Sequence, residues 1–554
     1  MAALAVARPG PAVAMETGFE QRLVARVMKA RELVRDEAPE GKRIDRIVVV
    51  NVPVFTPADP IPDAFNILHL VTREHVVRRE LLVEEGGVWD KDRVEESARN
   101  LRLMLILSVA VIVPFRVEGE GGVGLLVVTK DVWSLRLGFA ELLILDETVR
   151  FRGALTEMNL LGLDKQIALK FGHDPWINEV GQSYFDRRVL GSRWTFFESV
   201  DAIIDEDEGQ TLRGNYLLVR PFWSLATRWA GQVSFFHDAG VTRAQSGNDV
   251  AVIELEPGTF VRRQWRRRTL TGSALLAHQV GDEVKHRFAL GIATSDFQLE
   301  APDEVPKHLQ GRFFDVLRLQ SERANKLTAS WSLNSTDYRK MRDVHHYSLT
   351  EDFVAGPSLH ADAGWSAKAL GSDESFLTGS VGAGWRFIEG TRYFVSTGID
   401  VSARRTSSGE LIDRSIDVSV LSVSPQSRHG RLIWRGVVNR RSKNQHLGVL
   451  TLGGDGGLRG YPIGLLRGDS AWISNTEWRS RSWRWMTYHF GYVVFWDAAA
   501  TWDEDAPPKP LHGVGAGLRL FIPQSNRRVL RLDFAGPVDD FLSGRLVFAF
   551  NQAF

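Results

Sequence analysis

The chain of 554 residues contains no cysteine, and this absence excludes disulfide bonds, thiol catalysis and cysteine-ligated metal. It has no excess of either charge, because Lys plus Arg and Asp plus Glu both number 68. A balanced chain has no overall attraction for nucleic acid or acidic partners. The longest strongly apolar run, residues 103–115, is shorter than the roughly 20 residues of a membrane-spanning helix. With 25% charged residues as well, the composition excludes a helical membrane protein.

Glycine and tryptophan are abundant instead, with 50 and 17 residues. Glycine relieves crowding in curved sheets, and tryptophan is favoured at the boundary between membrane and water. Both enrichments are typical of a β-rich membrane protein.

The N-terminal segment, residues 1–43, begins with a leader of ambiguous character. Residues 1–14 are small and apolar, and residues 12–14 (AVA) resemble a small-x-small cleavage site, but Arg8 and Pro9 interrupt the apolar run. Two interpretations stay open: the end of a signal peptide with a misassigned start, or a disordered leader. The remainder of this segment has apolar residues at helical spacing among charged ones, which predicts a helix or a linker.

Residues 44–131 are predicted to form a compact α/β unit. The β-branched residues of 44–55 indicate a strand. Thr72 and Asp90 each precede a helical pattern as a capping residue, and a Gly-Gly pair separates the two patterns. Two further strands are predicted, at 106–117 and 123–129. The element order is therefore β-α-α-β-β.

From residue 132 onwards, apolar and small or polar residues alternate in segments of about ten residues. Alternation fits the strands of a soluble sandwich and of a transmembrane barrel equally well. The region of about 420 residues is long for a sandwich, and it divides into 16 strands at roughly 26 residues per strand and connection. Closure into a barrel also removes exposed sheet edges. The prediction for residues 132–554 is therefore a 16-stranded antiparallel transmembrane β-barrel.

The α/β unit resembles a POTRA domain in its element order and its local sequence. Residues 72–82, 85–86 and 95–102 follow the POTRA pattern of an acidic-basic helix, a glycine turn and an ESxRNLR-like helix. The resemblance implies one POTRA domain in front of an outer-membrane barrel. An unrelated small α/β domain is the alternative.

The last strand, residues 544–554, alternates in polarity and ends on an aromatic residue. With Phe548, Phe550 and Phe554, it resembles the C-terminal signal by which the outer-membrane insertion machinery recognises its clients. An ordinary last strand that ends on Phe is the alternative interpretation.

A glycine-rich stretch, residues 452–461, ends in Leu-Arg-Gly-Tyr. It resembles the (V/L)RG(F/Y) loop of the BamA/TamA-type outer-membrane assembly family. Counting strands back from the C-terminus predicts that it lies in extracellular loop six, where that family carries the motif. Further family-like motifs follow the family order, at residues 157–162, 184–193, 475–479, 495–499, 513–523 and 531–535. Arg187 stands where the family has proline.

The resemblance implies that Arg459 tucks into the barrel, and the residue pattern supplies partners for it. Alternation predicts that Glu477 and Asp497 face the lumen, and the loop glycines allow the backbone to fold back. Since an arginine–carboxylate pair is planar and can be bidentate, we predict that Arg459 binds Asp497 first or Glu477. A solvated loop arginine is the alternative. The predicted site comprises the loop residues Gly457, Leu458, Arg459, Gly460 and Tyr461 and the lumen residues Asp497, Glu477, Arg479, Arg519, Arg531 and Asp533.

Other patterns are set aside. Residues 201–208 are acidic but lack the ligand spacing of a Ca²⁺ loop, so a solvated turn is predicted. The basic residues 262–268 indicate contact with lipopolysaccharide or a lumen lining rather than nucleic acid. His345 and His346 would point to opposite faces of a strand and so hold no metal together. No nucleophile motif is found, and neither an enzymatic activity nor a cofactor is predicted.

The predicted function is an outer-membrane barrel that inserts or translocates proteins, with its POTRA domain in the periplasm. By resemblance, the POTRA domain receives unfolded or β-rich clients by strand addition. The expected partners are outer-membrane lipid and lipopolysaccharide, client proteins and accessory periplasmic proteins. The alternative function is a passive pore or surface antigen. A lipid hydrolase would need a Ser/His pair on the outer barrel face, and the sequence identifies none.

Overall fold

A computed structural model describes residues 18–554, apart from residues 58, 120, 146–147, 175, 207–208, 247–248, 318, 391–392, 446–449, 455, 463, 504–507, 526–527, 551 and 554. No helix in these described ranges is long and apolar enough to cross a membrane.

The described chain begins with a helix, α1, and a small α/β unit. Its elements are α1 Gly18–Ala30, β1 Arg43–Val52, α2 Glu74–Arg78, α3 Lys91–Arg102, β2 Leu107–Arg116 and β3 Gly122–Asp131. The strands form one sheet in the order β1-β3-β2, with β1 parallel and β2 antiparallel to the central β3. This order and this sheet fit the predicted POTRA domain.

One of the two predicted helix caps is confirmed. The side chain of Asp90 accepts a hydrogen bond from the N–H of Arg93 at 3.0 Å at the start of α3. The Thr72 prediction is wrong, because α2 begins at Glu74 and its N-cap is Arg73. Thr72 is held by its tertiary contacts instead: its N–H donates to Asp131 Oδ2 at 2.8 Å.

Both faces of the small sheet are covered. On one face, helices α2 and α3 pack against alternate strand residues such as Leu125 and Val127. On the other, α1 packs with Val111 and Val113 and with two barrel residues, Tyr347 and Leu349. Alternation along β2 and β3 produces these two apolar faces. The sheet therefore lies between α2 and α3 on one side and α1 with the barrel residues on the other.

The remaining chain is almost entirely strands. They are β4 Leu135–Leu145, β5 Thr148–Glu157, β6 Lys165–His173, β7 Ile177–Asp186, β8 Thr195–Asp205, β9 Gly209–Arg220, β10 Trp229–Arg243, β11 Gln245–Ser246, β12 Asp249–Val250, β13 Val252–Glu256, β14 Thr259–Arg262, β15 Gln264–Val280, β16 Val284–Glu300, β17 Glu322–Ser335, β18 Asp337–Met341, β19 Glu351–Ser366, β20 Phe376–Glu389, β21 Tyr393–Thr406, β22 Leu411–Val423, β23 Gly430–Ser442, β24 Leu450–Leu452, β25 Leu466–Gly468, β26 Ser470–Ser480, β27 Trp483–Trp485, β28 Tyr488–Trp502, β29 Leu511–Phe521, β30 Leu530–Pro537 and β31 Arg545–Phe550. The helical pieces outside the barrel wall are α4 Gln310–Leu317 and the 3₁₀ turns Asp63–Leu68, Leu160–Gly162, Val189–Gly191, Lys307–Leu309, Lys368–Leu370 and Phe541–Ser543.

The predicted antiparallel barrel is confirmed, but its number of strands differs from the prediction. Within the described residues the closed sheet has 22 segments, of which β18 and β27 continue β17 and β26, so the wall has 20 strands rather than 16. Three small hairpins, β11–β12, β13–β14 and β24–β25, lie outside it. The prediction assumed too much connecting chain, since connections such as 281–283 and 407–410 are short turns.

Side-chain alternation gives the wall two chemically different faces. Apolar residues on the outer face are more than half exposed, among them Leu169, Leu290, Val381, Leu518 and Phe548. Their neighbours along the chain point into the lumen, where many polar and charged residues are buried. A strand with this pattern has one face suited to an apolar environment and one to a polar interior.

The α/β unit is docked on one end of the barrel, which we call the near end. Glu80 at the end of α2 accepts two hydrogen bonds from Arg188, at 2.7 and 2.5 Å. Arg102 of α3 forms a bidentate pair with Asp352, at 2.7 and 2.8 Å. Because these carboxylates are buried or nearly so and each binds a planar guanidinium, the contacts fix orientation as well as position.

Replacing Glu80 by alanine is expected to loosen this docking. Loss of one partner leaves Arg188 without a carboxylate in a buried setting, at a cost of about 3 kcal/mol. Amide hydrogen exchange in residues 187–194 should then accelerate roughly a hundredfold. The control is Glu84→Ala, an equal change at an exposed position of the same segment. Equal exchange rates in the two variants would contradict a docking role for Glu80.

Candidate functional site

The predicted arginine loop, residues 453–461, starts at the end of the barrel opposite the α/β unit, which we call the far end. From there it folds back into the lumen. It lies between β23 and β26, which are the fifteenth and sixteenth wall strands. It therefore belongs to the eighth far-end connection, not the sixth as predicted from 16 strands. Counted back from the C-terminus, the position of the loop agrees with the prediction. The wall strands that follow it are β26, β28, β29, β30 and β31.

Glycine allows the loop to approach the wall closely. Gly460 has a φ of 89°, a conformation that side-chain-bearing residues rarely adopt. A Cβ on Gly460 would lie 2.8 Å from the backbone N of Gly536 and 2.9 Å from the carbonyl carbon of Ala535 in β30. Only a glycine permits this contact between the loop and the wall.

Arg459 binds Asp497 of β28 through both edges of the carboxylate. Its Nε donates to Oδ2 and its Nη2 to Oδ1, each at 2.8 Å. The backbone N–H of Arg459 also donates to Oδ2 of Asp497, at 3.2 Å. Such a two-point contact fixes the plane of the guanidinium as well as its position.

Two more carboxylates and an aromatic ring complete the surroundings of Arg459. Its Nη1 donates to Glu477 Oε1 at 2.5 Å and to Asp533 Oδ2 at 3.4 Å. Its Cζ lies 3.5 Å from the centre of the Phe495 ring, a cation–π contact. Burial lowers the pKa of Arg459, but the three carboxylates raise it by more, so the pKa is above its ordinary value. Arg459 is therefore a buried, permanently charged group.

The other predicted lumen residues form one network with Arg459. Arg479 donates from Nε to Glu477 Oε2 at 2.8 Å, while Arg519 and Arg531 both donate to Asp533. Every charged residue of this network is buried: Arg459, Glu477, Arg479, Asp497, Arg519, Arg531 and Asp533. Buried ions are costly to desolvate, so each depends on its partners for stability.

Apolar and neutral groups hold the rest of the loop. Leu458 is fully buried in a cluster with Leu452 and Ile473. The hydroxyl of Tyr461 donates to the carbonyl of His512 at 3.0 Å. These contacts anchor both sides of Arg459.

Asn475 is a site residue to which the sequence assigned no role. Its Nδ2 donates to the carbonyl of Gly457 at 2.9 Å and to Asp497 Oδ1 at 2.8 Å. It thus joins the loop backbone to the carboxylate that binds Arg459. Its position on the same strand face as Glu477, two residues away, was the available signal.

A second loop also enters this network, from the near end. Arg479 Nη1 donates to the carbonyl of Val344 at 2.8 Å, within the connection between β18 and β19. The same connection carries Tyr347 and Leu349, which pack against α1. Sequence alternation contains no signal for this contact, because the connection is not a strand.

Of the three predicted C-terminal aromatic residues, only Phe548 has a described side chain. Phe548 is exposed on the outer face of β31. Phe550 ends the same strand, and Phe554 lies outside the described residues. Gln552 of the same predicted segment does contact the lumen network, because it accepts a hydrogen bond from Arg519 Nε at 3.0 Å.

Two of the patterns set aside differ from expectation. Residues 201–205 are not a solvated turn but part of β8, where Asp201 pairs with Lys170 and Asp205 with Arg243. Their carboxylates face the lumen because strand alternation continues through them. His345 and His346 lie in a connection rather than a strand. Within the described ranges, no group of three or more metal-ligating side chains is found.

A Ser–His–Asp row lies where the α/β unit meets the barrel. His69 Nε2 is 3.0 Å from Asp131 Oδ2, and its Nδ1 is 3.3 Å from the Oγ of Ser134. All three residues are buried, and the Ser134 hydroxyl donates to Glu157 Oε2 at 3.1 Å. A nucleophile needs an exposed oxygen and a base that accepts its proton. With its proton directed at Glu157, Ser134 instead pins the unit to β5.

No family model and no curated protein match the chain. It is similar to the solved structure of BamA from Haemophilus ducreyi lacking POTRA domains 1–3, at 12% identity over 94% of this chain and 88% of that chain, with a TM-score of 0.34. For CdiB from Escherichia coli the values are 12%, 94% and 78%, with a TM-score of 0.42. For the FrpB iron transporter from Neisseria meningitidis they are 8%, 79% and 82%, with a TM-score of 0.35. At such identities and TM-scores, the function has to follow from the chain's own residues.

Proposed function

We propose that the chain is a bacterial outer-membrane barrel that inserts or translocates proteins, with the α/β unit as its periplasmic POTRA domain. The belt of exposed apolar residues around the wall supports the membrane location. In water such a belt would be an aggregation surface, whereas lipid tails cover it without cost. The near end then faces the periplasm, and the far end faces the cell exterior.

One observation carries the protein-handling function: the Leu-Arg-Gly-Tyr loop lies inside the lumen, with Arg459 bound to Asp497 and Glu477. A loop in this position narrows the lumen, which opposes simple conduction. It suits a barrel in which the bound loop stabilises one conformation of the wall and its release allows another. The resemblance of the loop to the BamA/TamA-type family motif points the same way.

The α/β unit offers a sheet edge for client strands, and part of that edge is already occupied. Residues 34–36 pair with the end of β2, where the N–H of Asp36 donates to the carbonyl of Pro114 at 3.2 Å. A client that adds a strand to β2 therefore pairs before Pro114 or displaces residues 34–36. The chain's own segment thus limits access to this edge.

A passive pore is the second candidate. The observation that favours it is an open cavity of about 1090 Å³ inside the near end of the barrel. Such a cavity would form part of the open path that a pore needs, and a degenerate family member could keep the Arg459 contacts for stability alone.

Reconstitution into liposomes is expected to separate the two functions. The protein should bind a peptide with an alternating C-terminal strand ending in Phe, and it should accelerate insertion of an unfolded barrel protein. Arg459→Ala should remove the acceleration. Arg467→Ala, at an exposed arginine of the same far-end connection, should retain it. Ion conduction without peptide binding or accelerated insertion would establish the passive pore instead.

A further inference from the structure

The near-end cavity has an uneven distribution of charge. It lies between helix α3 and the barrel wall, and its volume of about 1090 Å³ is accessible from outside. Its carboxylates are all engaged: Asp352 binds Arg102, the N–H of Leu225 donates to Glu96 at 2.6 Å, and Glu351 accepts from three backbone N–H groups. The acidic side of the cavity is therefore already neutralised or hydrogen-bonded.

Three arginines on the wall strands that line the cavity have no such partner. In the described part of the chain, no carboxylate pairs with Arg136, Arg287 or Arg386. Arg136 donates from Nε to the carbonyl of Trp133 at 3.3 Å, while its Nη2 is buried without a partner. Among the described residues, Arg287 donates to one acceptor, the neutral Oε1 of Gln279, at 2.8 Å.

Arg386 is held by aromatic rings instead of acids. Its Cζ lies 5.8 Å from the Phe353 ring and 5.7 Å from the Phe394 ring, and its Nε is buried without a partner. A guanidinium that is removed from water without a counter-charge has lost hydration energy, so binding of an anion beside it is favourable. Three such groups around one accessible cavity make it a preformed anion site.

The size and the apolar lining of the cavity favour a polypeptide over a small anion. Its volume of about 1090 Å³ lies just above the roughly 300–1,000 Å³ of small-ligand pockets. Phe222, Trp223, Tyr338 and Phe353 line it beside the arginines. We propose that Arg136, Arg287 and Arg386 bind an acidic segment of a polypeptide as it passes from the α/β unit into the lumen. The identity of that polypeptide as a client rests on the proposed function, whereas the anion site itself does not.

Equilibrium binding tests this site without any transport. The full chain in detergent should bind a short glutamate-rich fluorescent peptide more tightly than the same peptide with glutamine at each glutamate. Binding should weaken with salt, as charge pairing requires. The variant with Arg136→Gln, Arg287→Gln and Arg386→Gln should bind the acidic peptide at least about tenfold more weakly.

Two control variants guard against misfolding and general charge effects. Replacing the same three arginines by lysine keeps the charge and should restore most of the binding. Changing three exposed arginines, Arg405, Arg428 and Arg467, to glutamine alters net charge equally and should leave binding unchanged. Equal binding of the two peptides, or equal loss in both glutamine variants, would overturn the proposal. Binding of inorganic phosphate but not of the acidic peptide would also overturn it, in favour of a small-anion site. Peptide binding without accelerated barrel insertion would leave this site intact and refute only the proposed function.

Discussion

Replacing Arg459 by alanine is expected to destabilise the barrel more than any other single change in the lumen. The substitution leaves Asp497, which is fully buried, without its main counter-charge, and it removes one of the arginines bound to the equally buried Glu477. Removal of one partner from a buried ion pair costs on the order of 3–5 kcal/mol. The effect should extend towards the near end, because Glu477 also binds Arg479, which holds Val344. The loss of stability can be measured by gel electrophoresis after heating, as the temperature at which the band of the folded, compact barrel is replaced by that of the unfolded chain.

Three further variants test the geometry of that contact. Lysine at position 459 keeps the charge but cannot form the two-point contact with Asp497, so it should restore only part of the stability. Arg467→Ala removes an exposed arginine from the same connection and should leave the unfolding temperature unchanged. A charge swap, Arg459→Glu with Asp497→Arg, should be more stable than either single change. If the swap is no better than the single variants, the pairing does not control stability.

Gly460→Ala is expected to expel the arginine loop from the lumen while leaving every charged residue in place. The new Cβ would collide with the backbone of β30 at Ala535 and Gly536, which belongs to the wall and cannot move aside like a flexible side chain. The left-handed backbone adds roughly 1–2 kcal/mol for a residue with a side chain. The loop should therefore leave the wall, and Arg459 should be drawn away from Asp497.

Single-cysteine labelling can measure this release, because the chain has no cysteine of its own. Leu458→Cys places a thiol at a fully buried position, which should react slowly with a maleimide. Adding Gly460→Ala should accelerate the reaction by a factor of about a hundred. Gly464→Ala is the matched control, since Gly464 has a φ of 70° but nothing within 4 Å of its Cβ position. If both alanine variants react equally fast, backbone strain explains the effect and the close contact with β30 does not.

The outcomes of these two experiments differ in what they say about mechanism. Arg459→Ala removes the ion pairs of the arginine, whereas Gly460→Ala keeps the arginine but displaces the loop from the wall. If protein insertion is lost in both, the docked loop is required. If it is lost only in Arg459→Ala, the ion network of the wall is required and the loop merely supplies one of its cations.

The sequence alone predicted which strand residues face inward because alternation is a local property, and the length of the β region favoured a barrel over a sandwich. In β28 and β29, every second residue faces the lumen whatever the rest of the chain does, so Asp497 and Arg519 were predicted to face inward from spacing alone. The side-chain cap of α3 at Asp90 is equally local. The same principle failed at Thr72, where a tertiary hydrogen bond to Asp131 took the place of a cap.

Tertiary structure decided what depends on chain closure and on contacts distant in sequence. The number of wall strands depends on the length of each turn, which alternation does not encode, and so 20 strands replaced the predicted 16. The Arg479–Val344 contact and the docking of Glu80 on Arg188 join residues that lie more than a hundred positions apart. The three cavity arginines come from three separate strands, and only barrel closure brings them around one space. Local spacing therefore determined which side chains face inward, and closure of the sheet determined which of them meet.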